Sequence, residues 1–319
     1  MKKTLTYPSH TYQPTSDANV QRFVDREGNW THYWLVNEKR FVKAVNHILR
    51  LGYPKGDGLF QWLKNTTAEE ADRKLKTAGE EGTRTHQAIR DLAAGNRITT
   101  ATPYHNDLTK RKEPLSEGEW DNLQAYVNFM HDYPQELIAE EFVVYDSVKG
   151  YAGTADRFCL LTVPEGDKKF PKEQWGKQVV ALIDWKTSSG IWPEYYLQLS
   201  AYFGAMARMN LFPEFGKGFA ACAIIVRLGT KHTAKYEIKV MTPQDILNKL
   251  NVFSNCIEVA KDQEPTFEPV IEQIPLEFYM PMKMAVAPKV VAKKTKKNVG
   301  SKQKEKRAKP RTPRVGDVV

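Results

Sequence analysis

The chain has little cysteine and no long hydrophobic run. Only Cys159, Cys222 and Cys256 occur among its 319 residues. They are too few and too scattered for a disulfide framework, a zinc knuckle or a four-cysteine iron–sulfur cluster, and they fit a reducing compartment. No apolar run approaches 18 residues, and no apolar segment follows the charged first residues, so we expect neither a membrane span nor a signal peptide. These absences indicate a cytoplasmic protein without a membrane partner.

The net charge of +9 is concentrated at one end of the chain. From Lys283 to Val319, thirteen Lys and Arg residues oppose only Glu305 and Asp317, which leaves a net charge of −2 on the rest of the chain. This segment has no aromatic residue and no apolar period, so it predicts a disordered basic tail. Such a tail can attract phosphates, bind another acidic partner, or simply keep the protein soluble.

The remaining patterns place helices first, then a strand meander, a helix, more strands and a helix, which predicts an α+β fold. We expect an N-terminal arm and hairpin at 1–39, a core at 40–270 with a helical front end, and a linker and disordered tail at 271–319. Within the first two segments, we expect an irregular arm at 1–18, a hairpin from Val20 to Val36, a helix at 40–51 and a separate helix at about 80–94.

Capping residues predict two further helix starts. Thr67 can cap a helix that begins at Ala68. Ser116 and Glu119 have the spacing of a capping box and predict a helix after Ser116.

The apolar run from Val179 to Ile183 predicts a buried strand, and it ends in Asp184, Trp185 and Lys186. Side chains on a strand alternate between faces, so the two charged residues point one way and the tryptophan points the other. Charged groups at the end of a buried strand need a partner, because their desolvation costs several kcal/mol each. A plain ion pair on a half-exposed strand end is the simplest interpretation.

A second carboxylate is predicted beside this pair. If the strand at 151–162 pairs antiparallel with the strand at 179–186, opposing residue numbers sum to about 341, so Asp156 lies beside Asp184 or Trp185. Two converging carboxylates favour a shared proton or a cation between them. Mg²⁺ and Mn²⁺ prefer oxygen ligands. The Lys186 ammonium can then orient a water and stabilise charge on a phosphate.

Four other residues are weaker candidates when each is taken alone. His86 follows Gly82 by one helical turn, and Gly82 leaves room for another element to approach. Gln198 and Tyr202 are also one turn apart, on the helix after the strand. Glu141 lies in the strand before Asp156. The ordinary interpretations are a packed histidine, a polar helix face and a surface carboxylate.

Taken together and in this order, these residues resemble the RecB-like exonuclease branch of the PD-(D/E)xK nuclease superfamily. The motifs cover about residues 40–260, and the branch includes mitochondrial single-strand exonucleases and phage or prophage nucleases. The motifs that carry the resemblance are GTRTH at 82–86, the glutamate of AEEFVVY, GYAGTAD at 150–156, LIDWKTS at 182–188 and QLSAY at 198–202.

The resemblance implies a restriction-endonuclease-like α/β/α core, with a central mixed sheet flanked by helices, and a site for Mg²⁺ or Mn²⁺. Asp156 and Asp184 match metal ligands, and the Trp185 carbonyl matches a backbone ligand. His86 matches a metal-binding or metal-adjacent histidine, and Glu141 matches a less certain ligand. The cysteine cluster of some relatives is missing here, which argues against an iron–sulfur version.

The remaining matches imply catalysis. Lys186 matches the catalytic lysine, and Gln198 and Tyr202 match residues that organise the site and the DNA. The expected function is a Mg²⁺- or Mn²⁺-dependent DNA exonuclease that acts on single-stranded or recessed ends in replication, recombination or repair, in a bacterium or a bacterial virus. A structure-specific or nicking endonuclease is one alternative. A non-catalytic DNA-binding recombination factor is another, although the complete set of Asp156, Asp184 and Lys186 argues against it.

Overall fold

The structure is a computed structural model that describes residues 4–8, 10–25, 30–212, 220–229, 234–265 and 271–275. All of these residues belong to one compact unit, Met1–Pro275. The basic tail predicted from Lys283 onward lies outside the described residues, as does most of the predicted linker.

Thirteen strands and six α-helices occur in the described part of the chain. The strands are β1 Thr4–Pro8, β2 His10–Pro14, β3 Val20–Asp25, β4 Trp30–Leu35, β5 Arg40–Ala44, β6 Pro103–Asn106, β7 Arg111–Pro114, β8 Gln135–Asp146, β9 Tyr151–Thr162, β10 Gln178–Lys186, β11 Ala221–Arg227, β12 Glu237–Met241 and β13 Ile271–Pro275. The helices are α1 Val45–Gly52, α2 Asp57–Lys64, α3 Ala68–Ala93, α4 Glu117–Asp132, α5 Pro193–Arg208 and α6 Pro243–Gln263.

Nine of the strands form one mixed sheet in the order β12-β11-β10-β9-β5-β4-β3-β2, with β8 also paired to β9. The β10–β11 and β5–β9 pairs are parallel, and the other pairs in this sheet are antiparallel. Two smaller sheets consist of β6 with β7 and of β1 with β13. The mixed sheet confirms the predicted α+β class, and the strands of the N-terminal segment extend it.

The edge of β9 that faces β10 is shared by two strands. Its other edge pairs with β8 from Tyr151 to Leu161. On the shared edge, β5 pairs only with Tyr151 and Ala152, and β10 pairs only with 157–162. Within the described residues, no strand pairs with 153–156 on this edge. The sheet therefore splits at this point, and the split leaves room for a cleft.

Helices cover both faces of the sheet because side chains alternate along each strand. On β10, Val180 and Leu182 pack into a core with apolar residues of α1, α5 and α6. Ile183 and Trp185 pack into a second core with residues of α3 and α4. This alternation confirms that the Trp185 side chain points away from those of Asp184 and Lys186. None of the described helices has both the length and the apolar character that crossing a membrane requires.

The predicted helix starts are confirmed where capping residues mark them. The side chain of Thr67 accepts a hydrogen bond from the backbone of Glu70 and begins α3. Ser116 and Glu119 form the predicted capping box at the start of α4. These hydrogen bonds satisfy backbone groups that the first turn of a helix leaves unpaired.

The prediction of an irregular arm at 1–18 was wrong for β1 and β2. β1 pairs antiparallel with the distant β13, and β2 pairs antiparallel with the neighbouring β3. Pro8 and Pro14 each stand at a strand end, where a missing backbone donor is tolerated. Local polarity could not reveal partners that the fold supplies.

Two predicted helix boundaries were also wrong. The helix expected at 40–51 begins only at Val45, because 40–44 forms β5 between β4 and β9. Five residues are too few to separate a helical from a strand period. The helix expected at 80–94 is the second half of α3, which continues through the exposed Gly79. A single exposed glycine weakens a helix without ending it.

Helices α1 and α6 cross where Gly52 leaves no room for a side chain. A Cβ atom on Gly52 would lie 2.4 Å from the Cys256 carbonyl oxygen and 2.7 Å from the Cys256 Cα. Both are backbone atoms, so the neighbouring helix itself would have to move. The crossing supports the core on which β9 and β10 rest.

We expect Gly52→Ala to lower the free energy of unfolding by about 1 to 3 kcal/mol, because it overpacks a backbone-to-backbone contact. Gly79→Ala is the matched control: nothing lies within 4 Å of its added methyl group. Alanine is the better helix former, so this control should gain about 0.5 to 1 kcal/mol. Denaturant unfolding of both variants measures whether each substitution lowers or raises the free energy of unfolding. Equal stabilities would mean that α1 and α6 do not cross this closely.

Candidate active site

The predicted site residues line one cleft at the split in the sheet. The cleft has a volume of about 880 Å³. Its walls come from β3 to β5, α1, α3, α4, β8 to β10 and α5. The residues of the predicted site that line it are His86, Glu141, Asp156, Asp184, Trp185, Lys186, Gln198 and Tyr202. The fold thus brings together side chains that are up to 116 positions apart in the sequence, from His86 to Tyr202.

The register between β9 and β10 places the two aspartates side by side. The pairs run from Gln178 with Thr162 to Ile183 with Arg157. The next step in this register sets Asp184 against Asp156, within one residue of the predicted alignment. The strands separate here, and the Trp185 backbone N–H donates a hydrogen bond to the Asp156 carboxylate at 2.8 Å. The hydrogen bond fixes one oxygen of Asp156 at the point of separation.

Asp184 and Lys186 form a buried ion pair. Lys186 Nζ lies 2.6 Å from Asp184 Oδ2, and the two side chains are only 16% and 3% exposed. The ion pair of the simplest interpretation is therefore present, but its two side chains are buried and do not lie on a half-exposed strand end. Burial favours the neutral amine, but the charges of Asp184 and Asp156 outweigh it and raise the pKa of Lys186. The lysine therefore stays protonated at neutral pH.

Helix α5 holds Lys186 through a chain of hydrogen bonds. Lys186 Nζ donates to Gln198 Oε1 at 3.0 Å, and Gln198 Nε2 donates to the Tyr202 hydroxyl at 2.9 Å. The ammonium also lies 4.7 Å from the centre of the Tyr195 ring. Gly153 makes this arrangement possible, because a Cβ there would lie 2.3 Å from the Tyr202 ring. The lack of a side chain at Gly153, in the GTAD motif, therefore lets the Tyr202 ring pack against β9.

His86, Glu141 and Asp156 form a group that could hold a metal ion. One ligand atom from each lies within 4.8 Å of the others, and His86 Nδ1 is 3.9 Å from Asp156 Oδ1. Glu141 lies between the Glu140–Arg157 and Phe142–Ala155 pairs, which sets it against Asp156. Its φ of +49° is rare for a residue with a side chain. Such backbone strain is often found at functional sites.

The aspartates hold protons more tightly than ordinary carboxyls. Burial raises the pKa of Asp156 to about 7, despite the opposing charge of Lys186 and the Trp185 hydrogen bond. Burial also raises the pKa of Asp184 to about 6, and repulsion from Asp156 adds to it. Burial and then the Lys186 charge lower the pKa of His86. The imidazole is therefore neutral at pH 7, which is the form that binds a metal.

This donor set fits a hard divalent cation. Asp156, Asp184 and Glu141 offer carboxylate oxygens, which Mg²⁺ and Mn²⁺ prefer, and Mn²⁺ also accepts the imidazole of His86. Burial raises the pKa of both aspartates, and a cation beside them would favour their ionised forms. Asp184 lies outside the group of three and contacts Lys186 instead. The assignment of the Trp185 carbonyl as a ligand stays a prediction.

Several residues of the cleft were missed by the sequence patterns. Arg22, Trp30 and Tyr33 lie on β3 and β4, in a segment outside the family resemblance. Arg90 lies one turn after His86, and its Nη1 is 3.8 Å from Glu141 Oε2. Its spacing on the helix could have revealed it. No local signal marked the three residues of the hairpin.

A second group of potential ligands consists of His32, His47 and Glu264. His47 Nε2 lies 2.6 Å from Glu264 Oε2, and Arg50 donates to His47 Nδ1 at 2.9 Å. Because arginine can only donate, His47 Nδ1 must be the acceptor of that hydrogen bond. His47 Nε2 then carries the hydrogen and donates it in a hydrogen bond to Glu264. This tautomer leaves His47 no lone pair for a metal. The contacts instead tie α1 to the residue after α6.

No protein-family model matches the sequence, and no curated protein matches it either.

We expect Asp156→Asn to stabilise the metal-free protein at neutral pH. The pKa of Asp156 is raised in the folded state, so ionisation costs stability as the pH rises from about 4 to 7. The amide removes this cost and keeps an acceptor for the Trp185 N–H. The gain should be on the order of 2 kcal/mol at pH 7.5 and should vanish near pH 4.

Thermal unfolding in EDTA between pH 4 and 8 measures this difference. Asp132→Asn is the control, because a hydrogen bond from Tyr236 lowers the pKa of Asp132 and its variant should gain nothing. Added Mg²⁺ should raise the melting temperature of the wild type and leave that of Asp156→Asn unchanged. A wild type insensitive to both Mg²⁺ and Mn²⁺ would contradict the metal site.

Proposed function

We propose that this protein is a Mg²⁺- or Mn²⁺-dependent deoxyribonuclease. The observation that carries the proposal is the convergence of Asp156, Asp184 and Lys186 where β10 separates from β9. Burying two carboxylates with raised pKa values beside a protonated lysine costs desolvation free energy. Phosphodiester hydrolysis gives each of these groups a task, whereas a purely structural role does not require a second buried carboxylate.

The cation would be held by His86, Glu141 and Asp156, whose ligand atoms lie within 4.8 Å of one another. The family resemblance adds Asp184, whose carboxylate lies beside Lys186. When bound, the cation neutralises charge on the phosphate and makes a water more acidic. The protein must first release the protons on its carboxylates, so metal binding should strengthen as the pH rises through 6 and 7.

Lys186 serves as a positioned positive charge. Its pKa is raised, so it acts as a hydrogen-bond donor and an electrostatic stabiliser and not as a base at neutral pH. Its contacts with Asp184, Gln198 and the Tyr195 ring hold Nζ beside the two carboxylates. From there it can orient a water and stabilise the negative charge that develops on the phosphate.

DNA is the proposed substrate, and exonuclease action on single-stranded or recessed ends rests on the family resemblance. Arg22 and Arg90 add positive charge to the walls of the cleft, where a phosphate backbone would pass. The basic residues after Lys283 would add a salt-dependent attraction to phosphates. A cytoplasmic role in replication, recombination or repair, in a bacterium or a virus-infected bacterial cell, completes the proposal.

Digestion of end-labelled linear DNA tests the catalytic roles. We expect Asp184→Asn and Lys186→Met to lower the rate of Mg²⁺-dependent digestion by about 10²- to 10³-fold or more. The first change removes a carboxylate that would help to hold the cation, and the second removes the positive charge that would stabilise the reacting phosphate. The wild type should digest the DNA with Mg²⁺ or Mn²⁺ and should stop in EDTA.

The matched controls are Asp72→Asn and Lys76→Met. These residues form an exposed ion pair one turn apart on α3, 2.9 Å from atom to atom. They reproduce the chemical changes outside the cleft and should digest DNA at the wild-type rate. Equal rates for the Asp184 variant and the wild type would place the site elsewhere. A wild type that binds DNA without cutting it would favour the recombination-factor alternative.

Covalently closed single-stranded circles separate exonuclease from endonuclease action. An exonuclease needs an end, so we expect linear single strands to be degraded to small products while circles of the same sequence persist. Gel electrophoresis of a mixture of both forms measures this in one reaction. Linearisation of the circles would show that the cleft admits an internal phosphate and that the protein is an endonuclease.

A further inference from the structure

One wall of the cleft presents an exposed tryptophan supported by an arginine. Trp30, the first residue of β4, is 41% exposed. The guanidinium of Arg22, on the neighbouring strand β3, lies 4.7 Å from the centre of its ring. Both residues line the cleft that contains the carboxylates. The ring of Trp30 therefore offers an apolar, partly exposed face inside the cleft.

Arg22 also connects this wall to the strand that carries Asp156. Its Nη2 donates a hydrogen bond to Thr154 Oγ1 at 2.9 Å, and the Tyr33 hydroxyl lies 3.4 Å from the same oxygen. Thr154 is two residues before Asp156 on β9, so both side chains point to the same face. The guanidinium therefore contacts both the Trp30 ring and the strand that carries Asp156.

We propose that Trp30 and Arg22 form a stacking subsite for one unpaired nucleobase of single-stranded DNA. The base would stack on the Trp30 ring, and the phosphate next to it would lie toward Asp156. This inference rests on the proposed function and deepens it, because it assigns the substrate class to residues of the N-terminal hairpin. It also gives β3 and β4 a task beyond extending the sheet.

The chemistry of the pair selects a nucleobase over other ligands. An aromatic ring attracts any flat π-system, and the guanidinium behind it holds the ring in place and attracts the adjoining phosphate. A base within a duplex is already stacked on its neighbours and has no free face for the tryptophan. The subsite therefore favours a strand whose bases are unpaired.

Equilibrium binding of fluorescently labelled oligodeoxynucleotides in EDTA tests the subsite without digestion. We expect Trp30→Ala to weaken binding of a single strand by about 10-fold, within the range measured for loss of one stacked base. Trp30→Phe keeps an aromatic face and should recover most of the affinity. Affinity for blunt duplex of the same sequence should change by less than 2-fold in both variants, since the duplex offers no free base.

A scan with single abasic sites locates the base. In the wild type, one position should lose about 10-fold in affinity when its base is removed, and the same position should lose nothing in Trp30→Ala. Trp192→Ala is the matched control: Trp192 is 47% exposed and lies outside the lining of the cleft, so its variant should bind like the wild type. Circular dichroism melting checks that all variants are folded.

The subsite would be overturned by wild-type affinity in Trp30→Ala, or by the same abasic profile in wild type and Trp30→Ala. Equal weakening by Trp192→Ala would also overturn it, because the effect would then belong to any exposed tryptophan. If the wild type digests DNA while either result holds, the stacking subsite fails and the nuclease survives. If the wild type neither binds nor digests DNA, the proposed function itself fails.

Discussion

The antiparallel pairing of β9 with β10, and the point where it stops, is the constraint on which the site depends. Pairing ends at Arg157 and Ile183, and β5 takes the far end of the same edge. The residues between the two partners face a cleft instead of another strand. Had β10 continued along β9, backbone hydrogen bonds would have closed the space that the carboxylates now line. A register shift of one residue would also turn Asp184 into the core and Trp185 into the cleft.

Burial gives these charges their chemical character. Desolvation raises the pKa of Asp156 and Asp184 toward neutrality, while the same carboxylates keep Lys186 protonated. The proposed nuclease uses this arrangement directly: protons that the carboxylates release at neutral pH make way for a cation. Burying the ion pair between Asp184 and Lys186 at a strand end costs desolvation free energy. In the cleft the ion pair holds the ammonium beside the carboxylates, so pairing and catalysis are compatible.

The local patterns succeeded where one segment contained the whole signal. Alternation along β10 predicted that strand. The capping residues Thr67 and Ser116 predicted two helix starts. The loop between β9 and β10 predicted the antiparallel pairing that sets the two aspartates side by side. They failed where the partner was remote. Residues 40–44 form a strand because β4 and β9 flank them, and β1 pairs with a strand more than 260 positions away. Short segments carry too few residues for their period to be decisive.

The sequence by itself determined the α+β class and the face on which Asp184 and Lys186 lie, because alternation, helical spacing and turn chemistry are local properties. The candidate set from His86 to Tyr202 came from the order of motifs that resembles a nuclease family. Only the tertiary structure decided that these residues line one cleft, that Gly153 makes room for Tyr202, and that Arg22 and Trp30 join them from the N-terminal hairpin. The physical reason is that burial, pKa and side-chain proximity depend on which strands pair, and strand pairing depends on contacts between distant segments that no single segment encodes.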